Sequence, residues 1–110
     1  MRKLTVNRKR SFVACACGVY IYVQCKNGQA DLTLDGVPCK NMGKVKNGKS
    51  ITVDVSTDEF KAFVVYSKTQ PQNYHSAFTV PAGESDVTLY TRPYYNPAMG
   101  NPFTLSNVKE

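Results

Sequence analysis

An all-β fold, an antiparallel β-sandwich of about eight short strands, is what this chain predicts. Three observations carry that reading. The first is a set of turn dipeptides, Asn27-Gly28, Asp35-Gly36 and Asn47-Gly48, each beside short runs of Val, Ile, Leu, Thr and Tyr. Asn-Gly and Asp-Gly accept positive φ at both central positions of a type I′ turn, whose twist matches that of two paired strands. The second is strict alternation: Ile51, Val53 and Val55 alternate with Thr52 and Asp54, and Val87 and Leu89 with Thr88 and Tyr90. Sheets with one buried face require this period of two. The third is the tight spacing of short apolar runs, which two facing sheets, Ig-like or jelly-roll-like, would accommodate.

In chain order, the first strand covers residues 3–10, where Leu4 and Val6 alternate with Lys3, Thr5 and Asn7. The second covers 11–24, with Val19, Ile21 and Val23 on one face and Tyr20 and Tyr22 on the other. Strands follow at 30–34, 37–45 and 50–55. Ser56, with Glu59 three residues on, makes a capping-box pattern that predicts one helical turn over 56–60. The strand at 61–67 is apolar on both parities as far as Tyr66, so it is placed centrally, packed on two sides or covered by the loop after it. Strands at 76–80, 86–92 and 103–105 complete the set. No repeat or Gly/Ser-rich linker divides the chain, so residues 1–110 form one domain with a Pro/Tyr-rich C-terminal segment, 93–110.

A length of 110 residues with 42% hydrophobic and 20% charged content can bury a core without a metal or disulfide, and holds no apolar run long enough to cross a bilayer. The basic start followed by 11–25 superficially copies a signal peptide, but both parts are patterned as strands and cleavage would destroy them. A cytoplasmic, non-membrane protein is the expectation. Cys15, Cys17 and Cys25 share the parity of Val19, Ile21 and Val23, which predicts buried thiols; a thiolate metal site with Cys39, or a Cys25–Cys39 disulfide, are the sharper alternatives. No metal and no cofactor is assigned.

Catalysis finds thin material. The single histidine, His75, falls in a loop without an acidic neighbour; of only eight carboxylates, Asp54, Asp58, Glu59, Glu84 and Asp86 sit at strand ends and turns; and no phosphate-binding or nucleophile motif occurs. The chain is read as not an enzyme. The net charge of +6 is uneven. Arg8, Lys9 and Arg10 would join Lys44, Lys46 and Lys49 in one basic patch if the first strand lies beside a 44–49 hairpin, giving weak, sequence-independent nucleic-acid binding with Tyr20 and Tyr22 to stack bases. Lysines on edge strands also serve simply against aggregation. Carbohydrate binding through exposed tyrosines, Tyr90, Tyr94 and Tyr95, is a further alternative, weakened by the absence of Trp. The leading expectation is a non-enzymatic module for contact with an unidentified protein or with copies of itself, ranked above nucleic acid. Its positive support is the segment 94–103, too apolar and proline-stiffened for a free tail, with Tyr94, Tyr95, Met99 and Phe103 as the candidate interaction surface.

The succession of a basic strand with Arg10-Ser11-Phe12, then Val19-Tyr20-Ile21-Tyr22-Val23, Leu34-Asp35-Gly36-Val37, Val45-Lys46-Asn47-Gly48-Lys49-Ser50 and Val80-Pro81-Ala82-Gly83-Glu84 resembles small uncharacterised β-sandwich domains of Gram-positive bacteria. The resemblance spans most of residues 3–90 and implies the fold; being turn and strand chemistry, it carries over no catalytic residue. Residues 24–31 and the tyrosine-rich tail depart from it.

Overall fold

The computed structural model describes residues 1–10, 19–65, 75–93 and 103–109. These form nine strands: β1 (Arg2–Arg8), β2 (Val19–Gln24), β3 (Leu32–Leu34), β4 (Val37–Val45), β5 (Ser50–Val55), β6 (Phe60–Val65), β7 (His75–Val80), β8 (Val87–Pro93) and β9 (Phe103–Ser106). They make a β-sandwich of a four-stranded sheet, β5-β1-β8-β9, and a five-stranded sheet, β3-β4-β2-β6-β7. All pairings are antiparallel except β1 with β8, which run parallel in the middle of the smaller sheet. A parallel neighbour needs a crossover. The chain makes it by passing through the opposite sheet between the two. Immunoglobulin sandwiches pair their first two strands in one sheet; here β1 and β2 lie in different sheets.

The turn dipeptides take three different forms. At Asp35-Gly36 both residues have positive φ, 52° and 77°, and the β3–β4 hairpin closes as a type I′ turn between Leu34 and Val37. Asn47-Gly48 sits in a turn closed by Lys49 N donating to Lys46 O at 2.9 Å, with positive φ only at Gly48. It carries the chain from β4 in one sheet to β5 in the other, so the 44–49 segment is not a hairpin. Asn27-Gly28 belongs to a short 3-10 turn, Asn27–Gln29. The helical turn expected at 56–60 is also absent: Asp58 N bonds Ser56 Oγ, and β6 begins at Phe60. The carbonyls of Ser56 and Asp58 accept from Arg2 and that of Thr57 from Gly83 N, so the bend's acceptors serve its neighbours and not a helix.

The main core lies between the sheets. Leu4, Val6, Val55 and Leu89 from the smaller sheet meet Val19, Ile21, Val45, Ala62, Val64 and Val80 from the larger, with Phe103 and Leu105 of β9 closing one side. A second cluster, Tyr22, Leu34, Cys39, Phe63 and Val65, occupies the other face of the five-stranded sheet. β6 is thus packed on two sides. Cys39 and Val45 share a parity in the sequence yet face opposite ways because of a β-bulge: Ile21 pairs Gly43 and Tyr22 pairs Asn41, leaving Met42 as the extra residue. Gly43, at φ 136°, supplies the backbone freedom this needs.

Cys39 is fully buried and Cys25 half-buried, and both are free thiols; Cys15 and Cys17 lie outside the described residues. Burial pushes the Cys39 thiol up to about 11 and raises Cys25 as well. Both are then protonated at neutral pH and react slowly. Because the Cys39 value lies above the ordinary 9.0, the unfolded chain loses this proton first as pH rises. Its contribution to stability is complete below pH 9.0 and is lost as pH approaches about 11. Tyr22, raised chiefly by burial, has the same sign. The urea midpoint is therefore expected to fall between pH 8.5 and 10.5, with a shallower fall in Cys39→Val; equal falls in both proteins would remove Cys39 from the explanation.

Candidate functional site

β1 determines what the basic residues can do. Its inward positions are Arg2, Leu4, Val6 and Arg8, so each end of the strand sends an arginine into the sandwich. Arg8 is 3% exposed; its guanidinium donates to Val45 O at 2.9 Å and lies 4.8 Å from the centre of the Phe103 ring. Both contacts stabilise a buried cation, which otherwise carries a heavy desolvation cost. Arg8 is thus a tie between the sheets and not part of a solvated patch. Phe103, 1% exposed, is its partner inside the core, which corrects its assignment to an interaction surface. Tyr94, Tyr95 and Met99 lie outside the described residues.

The remaining basic candidates, Lys9, Arg10, Lys44, Lys46 and Lys49, are all exposed, and the strand registers gather them at one end. Arg8 N donates to Lys49 O and Lys9 N to Thr91 O, each at 2.9 Å, which sets the end of β1 between the start of β5 and the end of β8. Arg10 packs over Gly48, where an added Cβ would come within 3.2 Å of the Arg10 side chain. Lys44 stands opposite the half-buried Tyr20. Tyr22 is buried in the outer cluster and presents no stacking face.

Two further cations join this end. Lys9, Arg92 and Lys109, with residues 7–8 of β1 and 90–91 of β8, line a hollow of about 320 Å³ where the ends of these two strands meet. Sequence reading missed Arg92 and Lys109 because only the parallel pairing, Asn7 with Tyr90 and Arg8 with Thr91, brings the two ends of the chain together. Residues after β9 then bring Lys109 alongside.

The carboxylates lie elsewhere. Lys3 pairs with Asp54 in an exposed ion pair and its amide donates to Asp86 Oδ1, at the opposite end of β1. Asp58 and Glu59 border a larger hollow there with Met1, Cys25 and Phe60, and Glu84 lies beside Arg2. Asp31 accepts from Asn41 N next to β4, and Asp35 occupies the β3–β4 turn. None of the seven described carboxylate side chains stands among the cations of the basic pole; Glu110 lies outside the described residues. Segments 11–18, 66–74 and 94–102 lie outside the described residues and contain no Asp or Glu.

Other candidates resolve differently. His75 opens β7 opposite Val65 instead of lying in a loop. Among the described residues no three His, Cys, Asp or Glu side chains could hold a metal ion, and no helix is long and apolar enough to cross a membrane. The fold and this end together define a β-sandwich with segregated charge, basic at one pole and carboxylate-bearing at the other. Comparison of the chain with protein families, curated proteins and solved structures gives no match.

Proposed function

We propose that this chain is a non-enzymatic binding module whose basic pole holds single-stranded nucleic acid through its phosphates, without sequence preference. The observation that carries the reading is the convergence of Lys9, Arg10, Lys44, Lys46, Lys49, Arg92 and Lys109 on one end from which the described carboxylates are absent. Lysines placed only to protect sheet edges would be spread over the edges and interleaved with acids. A one-signed pole instead attracts a polyanion and releases its counterions. A single strand suits it better than a duplex, because the described residues offer no α-helix to enter a major groove, whereas half-buried Tyr20 and Tyr90 flank the cations.

The rival reading, contact with a protein partner or with further copies of the chain, drew on Tyr94, Tyr95, Met99 and Phe103. It loses Phe103 to the core, and its other residues are outside the described set. Of the carbohydrate candidates only Tyr90 is among the described residues, and it sits among cations suited to an anion.

Fluorescence anisotropy with a labelled oligothymidylate tests the proposal. The expected dissociation constant is of order micromolar at low salt, with log affinity falling against log salt by roughly 0.7 per phosphate neutralised. Lys44→Glu, Lys46→Glu and Lys49→Glu together should abolish binding while leaving the melting temperature near that of the parent, since all three side chains are exposed. Absence of binding at low salt, or binding indifferent to the triple substitution, would overturn it.

A further inference from the structure

We infer that the hollow between β1 and β8 is a mononucleotide subsite, in which Lys9, Arg92 and Lys109 take one phosphate and Tyr90 offers its ring to the attached base. The inference rests on the reading of the basic pole as a nucleic-acid surface and goes further, because it assigns a discrete site to residues that a diffuse electrostatic surface would not need. Three features support it.

The first is how the sheet builds the hollow. Leu4, Val6 and Arg8 of β1 and Leu89 and Thr91 of β8 point into the sandwich, so the alternate residues Asn7, Tyr90 and Arg92 face outward. Parallel pairing sets Asn7 directly beside Tyr90, and Lys9 is tied to Thr91 by its backbone N–H. Three outward side chains are thereby fixed on the rigid centre of a sheet, not on a loop. Lys109 borders the same hollow from the chain beyond β9.

The second is chemical. Lys9, Arg92 and Lys109 are donors only, Asn7 adds an amide and Tyr90 a hydroxyl, and no carboxylate is among the described lining residues. Three cationic donors with no described carboxylate beside them fit a phosphate, whose oxygens accept at neutral pH. Arg92 contributes a permanently charged guanidinium at the rim, while the lysines act as point charges.

The third is size. At about 320 Å³ the hollow is at the small end of ligand sites and suits a single nucleotide, with room for neither a long run of polymer nor a duplex. Tyr90 is half-buried and borders the hollow, so part of its side chain stays accessible there. A stacked base and a clamped phosphate would then fix the register of a strand that the lysines of the pole, at 44, 46 and 49, follow less specifically.

The test combines two measurements. In the first, amide spectra of the labelled full chain are followed during titration with adenosine 5′-monophosphate, with adenosine and with inorganic phosphate. Adenosine monophosphate should shift the amides of Asn7, Tyr90 and Arg92 at lower concentration than either fragment. Equal response to inorganic phosphate would make the hollow a free-anion site and remove the base from the proposal. In the second, oligothymidylate binding is compared among variants. Lys109→Gln, at an exposed position, should lower the salt slope by roughly 0.7, the value for one phosphate on a single strand. Tyr90→Ala should weaken binding roughly tenfold without changing the slope, because stacking is not ionic, and Tyr90→Phe should restore it. If the parent binds and responds to the lysine substitutions at 44, 46 and 49 but not to Lys109→Gln or Tyr90→Ala, the subsite is wrong and the pole reading stands. If the parent binds no oligonucleotide yet adenosine monophosphate shifts these amides, the pole reading fails and the hollow is a site for the free nucleotide.

Discussion

Replacing Phe103 with alanine is expected to cost about 3–5 kcal/mol, the range for deleting a large aromatic from a packed core. The ring is 1% exposed among the residues of both sheets. Its loss also leaves the Arg8 guanidinium without the face it lies over, at 4.8 Å, so a buried cation keeps its desolvation cost with less to offset it. Phe103 O accepts from Ser76 Oγ at 2.8 Å, a bond from the edge strand β9 to β7 of the other sheet that alanine can keep only if the backbone stays in place. For a domain of this size each kcal/mol lowers the melting temperature by roughly 4–8 °C, so a fall of about 15 °C or more is the expected reading. Phe103→Leu, which keeps most of the volume, should lose about 1.5 kcal/mol. A loss below 1 kcal/mol in Phe103→Ala, by urea titration, would return this residue to the surface.

The basic pole shows what strand parity could and could not reveal. Arg2, Leu4, Val6 and Arg8 share a parity in plain sequence, so the inward course of both arginines was legible; charge alone had argued for solvent. Residues 37–45 and 50–55 were bounded correctly because alternation and turn dipeptides are local signals. The bulge at Met42 was not legible. It depends on one residue too many opposite β2, and it moved Cys39 to the outer cluster, where Tyr22 also lies. The parallel β1–β8 pair was equally hidden, since it joins residues about eighty positions apart that no turn signal links. With it went Arg92 and Lys109, and the place of Tyr90 beside them, the part of the candidate site that gives the pole a defined hollow. What reads directly from a sequence is which face a residue takes in its own strand. Which strand stands beside it is a property of the whole chain.

Arg2→Ala is expected to have the second large effect, at the opposite end of β1. Arg2 is 4% exposed, and its guanidinium spans three carbonyls: Nε donates to Ser56 O at 2.9 Å, and one terminal nitrogen to Pro81 O at 2.8 Å and Asp58 O at 3.3 Å. It also lies 5.6 Å from the centre of the Phe60 ring. One side chain of the smaller sheet thus closes both the β5–β6 and the β7–β8 connections over the end of the core. Alanine would leave those carbonyls to find water at a partly closed site, and bonds to a charged donor contribute about 1.5–3 kcal/mol each before such rearrangement. Part is recovered by hydration, so the expected net loss is about 3 kcal/mol. Arg2→Lys separates charge from geometry. A single ammonium cannot hold the same three acceptors with the fork's fixed directions, so lysine should recover less than half of the loss. Hydrogen exchange supplies the local readout: the amide of Gly83, which donates to Thr57 O across the two connections, should lose protection in both variants. Full recovery of stability and protection by lysine would show that Arg2 acts as a charge near the bend and not as a bridge between the sheets.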